Sequence, residues 1–306
     1  MSQATTAAPG TAARGRAGRG RKVNTLPLLA PSVVLLLVWM IVPLVLTLWY
    51  SLQRYNLLYP ERRGFVGLQN YLYILSDSTL QTAILNTIVL TGAVLILSVV
   101  FGTLLAVLLN QEFWGQNLAR VLVIAPFFVM PPVAALIWKN MMMNPIQGVI
   151  AWITRSLGLG AIAWFQNWPM LSIVIIVAWQ WIPFATLILL TAMQSLDHEQ
   201  MEAARMDGAG AVSRFRYVVI PHLSRPITIV IMMETIFLLS VFAEILVTTS
   251  GGPGHATTTL TYLIYIRALL DFNIGGASAA GVIAIVLANI VAVFLMRIVA
   301  GTLEQR

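Results

Sequence analysis

Six long runs of apolar residues dominate this chain, and they leave it little choice of fold. They cover residues 26–50, 83–109, 118–137, 170–192, 226–247 and 279–299. Each reaches the ~20 residues that a helix needs to cross the hydrocarbon core of a bilayer. In lipid every backbone amide must be paired within its own segment or a closed barrel, so such runs span as helices. Only 9% of the 306 residues are charged, against about 25% in a soluble domain. The expectation is an all-α membrane protein with six transmembrane helices.

Six spans put both termini on one side, and the basic residues say which. Residues 1–24 are rich in Ala, Gly, Thr and Arg, and carry Arg14, Arg16, Arg19, Arg21 and Lys22. They cannot bury a core, so a disordered basic tail is expected there, ahead of a transmembrane domain over 25–306. The run 26–50 is too long for a signal peptide and no small-residue cleavage site follows, so it reads as a retained span. The tail, Arg120, the loop after span four (Arg205, Arg214, Arg216, Arg225) and Arg297 and Arg306 hold twelve Lys and Arg. The alternate loops hold six: Arg54, Arg62, Arg63, Lys139, Arg155 and Arg267. The excess marks the first set, with both termini, as cytoplasmic. The net charge of +7 then fits a tail beside an anionic membrane surface and gives no sign of nucleic-acid binding.

The loop between spans four and five, about 195–221, sits between two long apolar segments and is itself polar. Ser195 or Asp197 can cap a short helix that ends near Ala204, with acids in its first turns. Gly208 and Gly210 break it, since glycine accepts the positive φ of a helix C-terminus. A second short helix with Arg214 and Arg216 follows, with Pro221 at its exit. This makes a helix-turn-helix knob on one face of the membrane.

Glu202, Ala203, Ala204, then Gly208, then Val218-Val219-Ile220-Pro221 resemble the signature of permease subunits of ATP-binding-cassette importers. That pattern is Glu-Ala-Ala, three residues, Gly, nine residues and Ile-x-Leu-Pro; Val218 and Ile220 replace its aliphatics. The resemblance implies that the knob, with Glu202, Ala203, Ala204, Asp207, Gly208 and Pro221, is the coupling helix that docks on an ATPase. It also implies several partners. These are an ATPase dimer that uses ATP and Mg, a homologous second permease subunit and an extracytoplasmic solute-binding protein, all at a bacterial cytoplasmic membrane. The resemblance to the sugar class covers nearly the whole chain beyond residue 26. It includes Arg54-Tyr55-Asn56, Gly67-Leu68-Gln69-Asn70-Tyr71, Asn86-Thr87, Ala125-Pro126-Phe127-Phe128 and Gly251-Gly252-Pro253. Val129-Met130-Pro131-Pro132, Trp138-Lys139-Asn140-Met141, Gln194-Ser195-Leu196-Asp197 and 242–249 are similar to permeases for linear polyols such as sorbitol and mannitol. A disaccharide or other carbohydrate is the alternative within the class.

Several residues inside the spans point to a solute path. Pro126, Pro131 and Pro132 interrupt span three and free carbonyls that must face protein or water. Trp179, Gln180 and Trp181, with Pro183, lie halfway along span four, where rings beside hydrogen-bonding groups suit a polyhydroxylated solute. In span five, Glu234, Phe237, Val241, Glu244 and Thr248 fall on one stripe if the helix is continuous. An acid in lipid costs ~2.5 kcal/mol or more, so both acids should face protein or water. Either they line the path or they pair with neighbouring helices. Outside the spans, residues 148–165 form an interfacial helix or a plain loop, flanked by Trp164 and Trp168. Residues 261–270 read as another interfacial helix, and 251–254 as a turn.

Other chemistries find little support. There is no Cys, and His198, His222 and His255 are scattered, so no metal site is expected. No Gly-x-x-x-x-Gly-Lys-Ser/Thr loop occurs, so the chain is expected to bind no nucleotide or other cofactor itself and to be no enzyme. No Ser/His or Asp/Asp pair suggests catalysis in the membrane. An ion-coupled secondary transporter remains open through Glu234 and Glu244.

Overall fold

The computed structural model describes residues 26–304. The basic tail expected over 1–24 lies outside the described residues. The chain divides into two units, the first ending at Val45 and the second starting at Leu46. The described part of the first unit is the body of helix α1 (Leu26–Ser51), largely apolar, with Pro31 and Pro43 inside it.

The second unit opens with the last turns of α1. An antiparallel hairpin follows, β1 (Gln53–Arg54) with β2 (Gly64–Phe65), then α2 (Gln69–Ser76) and α3 (Ser78–Leu109). Helix α4 (Gln116–Ile124) continues as a 3-10 turn to Phe128, and α5 (Pro131–Ile137) as a π turn to Met142. Two short helices, α6 (Val149–Ser156) and α7 (Trp164–Asn167), lead into α8 (Pro169–Gln194). After α9 (His198–Met206), α10 (Ala211–Arg214) leads through a π turn to α11 (Ile220–Leu238). Then come α12 (Ala243–Thr248), α13 (Leu260–Tyr265) and α14 (Ile274–Glu304). Among the described residues five helices are long and apolar enough to cross a membrane, and the bent pair 116–128 and 131–142 makes a sixth.

Helix α8 is the axis of the second unit. Its Ile173, Val174 and Val177 pack with Leu90 and Val94 of α3, Leu238 of α11 and Ile245 of α12. Nearer its C-terminus Ala185, Leu189 and Met193 pack with Ala106 and Leu109 of α3 and with Val219 and Leu223. The crossing of α3 over α8 is close at Gly102, where an added Cβ would stand 2.7 Å from Ala185 Cβ. Apolar packing between helices gains no solvent drive in lipid, so small residues that let backbones approach matter more. A third cluster joins α2, α3, α13 and α14 through Ile74, Leu80, Leu263 and Ala280. Asp77 starts α3 by accepting the Thr79 N–H at 2.8 Å, and pairs with Arg267 across the fold.

The break expected in span three is present: its halves meet at 106°, because Pro131 and Pro132 have no N–H with which to continue the preceding helix. Two other expectations need correction. The helix that holds span five begins at Ala211, ahead of residue 226, and stops at Leu238. Residues 239–242 are irregular before α12, so the continuous helix behind the Glu234–Thr248 stripe does not exist. Pro221 does not end a helix either. It is the second residue of α11, just after the π turn Phe215–Val219. That turn widens the helix ahead of a residue with no N–H to donate.

The loops hold closer to expectation. Helix α6 fills part of 148–165 and exposes Val149, Trp152 and Ile153. Helix α13 and the π turn Ile266–Leu270 supply the helix expected over 261–270. Gly251 and Gly254 take positive φ in the intervening turn.

Candidate solute cavity and coupling loop

The breaks in spans three and five lie side by side, since α12 packs against α5. Each break exposes carbonyls, and each is met by a side chain from elsewhere. Gln180, halfway along α8, donates Nε2–H to the Val129 carbonyl at 3.1 Å. Thr261 donates its hydroxyl to the Leu239 carbonyl at 3.0 Å, and Thr259 reaches the Val241 carbonyl at 3.5 Å. Lys139 Nζ donates to the Val247 carbonyl at 2.9 Å and so closes the end of α12. These bonds supply internally what lipid would not.

Between the two breaks is a cavity of about 350 Å³, lined by Phe127, Val129, Gln180, Trp181, Phe237, Ser240 and Glu244 among others. One wall is aromatic. Trp181 lies 5.3 Å from Phe237 and 5.8 Å from Phe127, centroid to centroid, and Phe127 stacks on Phe184 at 5.6 Å. Gln180 and Glu244 are 5% and 4% exposed.

The cavity therefore gathers Gln180, Trp181, Phe237 and Glu244, with Pro131 and Val241, from the residues picked by sequence, and leaves out Trp179, Thr248 and Glu234. Trp179 is two positions from Trp181, about 200° around a helix, and its ring meets Trp138 instead, at 5.9 Å. Thr248 is buried and gives its hydroxyl to the Glu244 carbonyl at 2.5 Å. Glu234 is fully buried on α11 beside Ser98 of α3, and neither carboxyl oxygen has a hydrogen bond of good geometry. Sequence reasoning missed Phe127 and Ser240. The prolines around Phe127 were a usable signal; Ser240 had none, because no Pro or Gly marks the break in span five.

The loop after α8 is folded from local rules. Asp197 accepts the Glu199 N–H at 3.0 Å and caps α9, whereas Ser195 turns back to the Ala192 carbonyl. At the other end Gly208 has φ +79°. Its N–H reaches the Arg205 carbonyl and that of Ala209 reaches the Ala204 carbonyl, both at 3.0 Å. This is the paired closure that a left-handed residue after a helix permits. Gly210, by contrast, is extended and starts α10. Met201 packs on the core near Leu189, while Glu202, Ala203 and Met206, 88% exposed, face outward. His222 Nε2 meets the Ala192 carbonyl at 2.9 Å, tying the foot of span five to the end of α8.

A helical bundle with two broken spans over a central cavity, and a capped helix between its fourth and fifth spans, is the architecture of a membrane transport component. Residues 98–305 match the family model for the binding-protein-dependent transport system inner membrane component, and the chain belongs to that family. It is 37% identical over 251 residues to the probable ABC transporter permease protein y4oQ of Sinorhizobium fredii, covering 81% of each chain. It is 34% identical over 254 residues to the trehalose/maltose transport system permease protein MalF of Thermococcus litoralis, covering 82% of this chain and 85% of that one. Among solved structures, a chain of a bacterial alginate ABC transporter, crystallised with an alginate pentasaccharide-bound periplasmic protein, superposes with a TM-score of 0.76. It is 20% identical over 90% of this chain and 94% of that chain, and the likeness shows a shared fold.

Proposed function

We propose that this chain is the permease subunit of an ATP-binding-cassette importer that carries a carbohydrate into the cytoplasm through the cavity at the two breaks. The observation that carries the reading is the cavity itself. It lies beside the middle of α8, with aromatic rings for C–H faces and the Glu244 carboxyl for hydroxyls. The family supplies the transport role. The trehalose/maltose relative favours a disaccharide, and the segments similar to polyol permeases favour sorbitol or mannitol.

In this reading the Glu202 loop, with Ala203, Ala204, Asp207, Gly208 and Pro221, faces the cytoplasm and docks on an ATPase dimer that binds ATP and Mg. A second permease subunit completes the pathway, and an extracytoplasmic binding protein delivers the solute. The protein would alternate between outward- and inward-open states, and each ligand can bias them only by its differential affinity. Glu234, sealed against α3, belongs to helix assembly and not to the path.

The test is uptake by proteoliposomes holding the complete transporter, offered trehalose, maltose, sorbitol and mannitol. Uptake that requires ATP and survives collapse of ion gradients supports the reading. Uptake driven by an ion gradient without ATP overturns it in favour of a secondary transporter.

A further inference from the structure

We propose that the cavity admits neutral polyhydroxylated solutes and rejects anionic ones, and that Glu244 sets this choice. The inference rests on the reading above and adds the charge class of the solute.

The argument comes from the direction of the hydrogen bonds. Gln180 gives one Nε2–H to Val129, and its Oε1 has no exposed surface. Ser240 spends its O–H on the Phe237 carbonyl at 2.7 Å. Glu244 brings acceptor oxygens to the cavity wall. Beside the Trp181 indole N–H, the wall offers a guest the Glu244 and Ser240 oxygens, to which the guest must donate. A sugar or polyol hydroxyl does so; a phosphate or carboxylate only accepts.

Charge points the same way. Among the described residues no Lys, Arg or His lines the cavity. Lys139, the cation of the same broken span, is engaged with Val247. The other donors nearby are the Trp181 indole N–H and the N–H groups at the start of α12, and the Glu244 carboxyl already lies against the N–H groups of Phe242 and Glu244. The chain's own acid sits where an anion would have to sit. An anionic solute would lose its water there and find no countercharge.

The experiment is equilibrium binding to the full transporter in nanodiscs, without the solute-binding protein. The probes are trehalose against trehalose 6-phosphate and sorbitol against sorbitol 6-phosphate. The neutral member of a pair should bind about tenfold or more tightly, since a buried acceptor facing an acceptor is strongly disfavoured. Glu244→Gln, which adds a donor and keeps the size, should shrink that ratio by about tenfold. Equal binding of both members overturns the inference and leaves the carbohydrate reading standing. So does a ratio unchanged in Glu244→Gln while binding persists. Binding of no member of either pair, at concentrations where uptake occurs, removes the cavity from the pathway and overturns the inference.

Discussion

Gln180 lines the cavity, and its amide N–H holds the Val129 carbonyl. Gln180→Leu keeps the volume and removes that bond. Stranding a buried carbonyl costs about 1–3 kcal/mol. A lower melting temperature of the purified complex is the expected outcome, with uptake falling further than the lost stability accounts for. The neighbouring tryptophans give a sharper contrast. Trp181 lines the cavity and Trp179 packs on Trp138. Trp181→Ala should therefore reduce uptake about tenfold or more if ring stacking holds solute, while Trp179→Phe keeps an aromatic ring against Trp138 and leaves uptake near normal. Equal losses in initial-rate uptake would count against the assignment of the aromatic wall.

At the scale of elements, Gly102 and Asp77 are the positions where one residue decides how helices sit. A Cβ at Gly102 would press on Ala185, so Gly102→Val should force α3 and α8 apart and cost about 1–3 kcal/mol, read as thermal stability in detergent. At Asp77, burial works to raise the carboxyl pKa, but hydrogen bonds from Thr79 and the Arg267 guanidinium outweigh it and hold the group below its ordinary value. A depressed folded pKa stabilises above the unfolded value and stops doing so as pH falls through the folded one. Stability should fall below about pH 4, and Asp77→Asn should lose that part of the fall while keeping a capping oxygen. The same scale explains what the sequence could reveal. Apolar length and prolines foretold the spans and the break in span three, and Asp197 and Gly208 foretold the ends of α9. The break at 239–242 was hidden because nothing local requires it. Thr259 and Thr261, some twenty residues on, satisfy its carbonyls, and only the folded chain brings them there. That hidden break also separates Glu234 from Glu244.

For the whole molecule, the proposed docking of the Glu202 loop on an ATPase makes two demands. The loop must lie on the cytoplasmic face, and α9 must keep its shape. The chain has no Cys, so a single cysteine at Gly210 and another at Gly252 report sidedness cleanly. An impermeant thiol reagent should label Gly210→Cys only from the cytoplasm and Gly252→Cys only from outside; reversed labelling would overturn the orientation. The shape of α9 depends on Gly208, whose φ of +79° a β-branched residue adopts only at a cost of about 1–2 kcal/mol. An added Cβ there meets nothing within 4 Å, so the penalty is one of backbone conformation alone. Gly208→Val should thus leave the membrane bundle folded while displacing the end of α9. Gly208→Asn, which tolerates the left-handed conformation, should do neither. Glu202 is exposed on the same helix, and Glu202→Lys reverses a charge without touching the fold. If the loop couples ATP hydrolysis to transport, Gly208→Val and Glu202→Lys lose receptor-stimulated hydrolysis in reconstituted transporters, whereas Gly208→Asn retains it. Normal stimulation in both disruptive variants would mean that the loop is only a connection between spans.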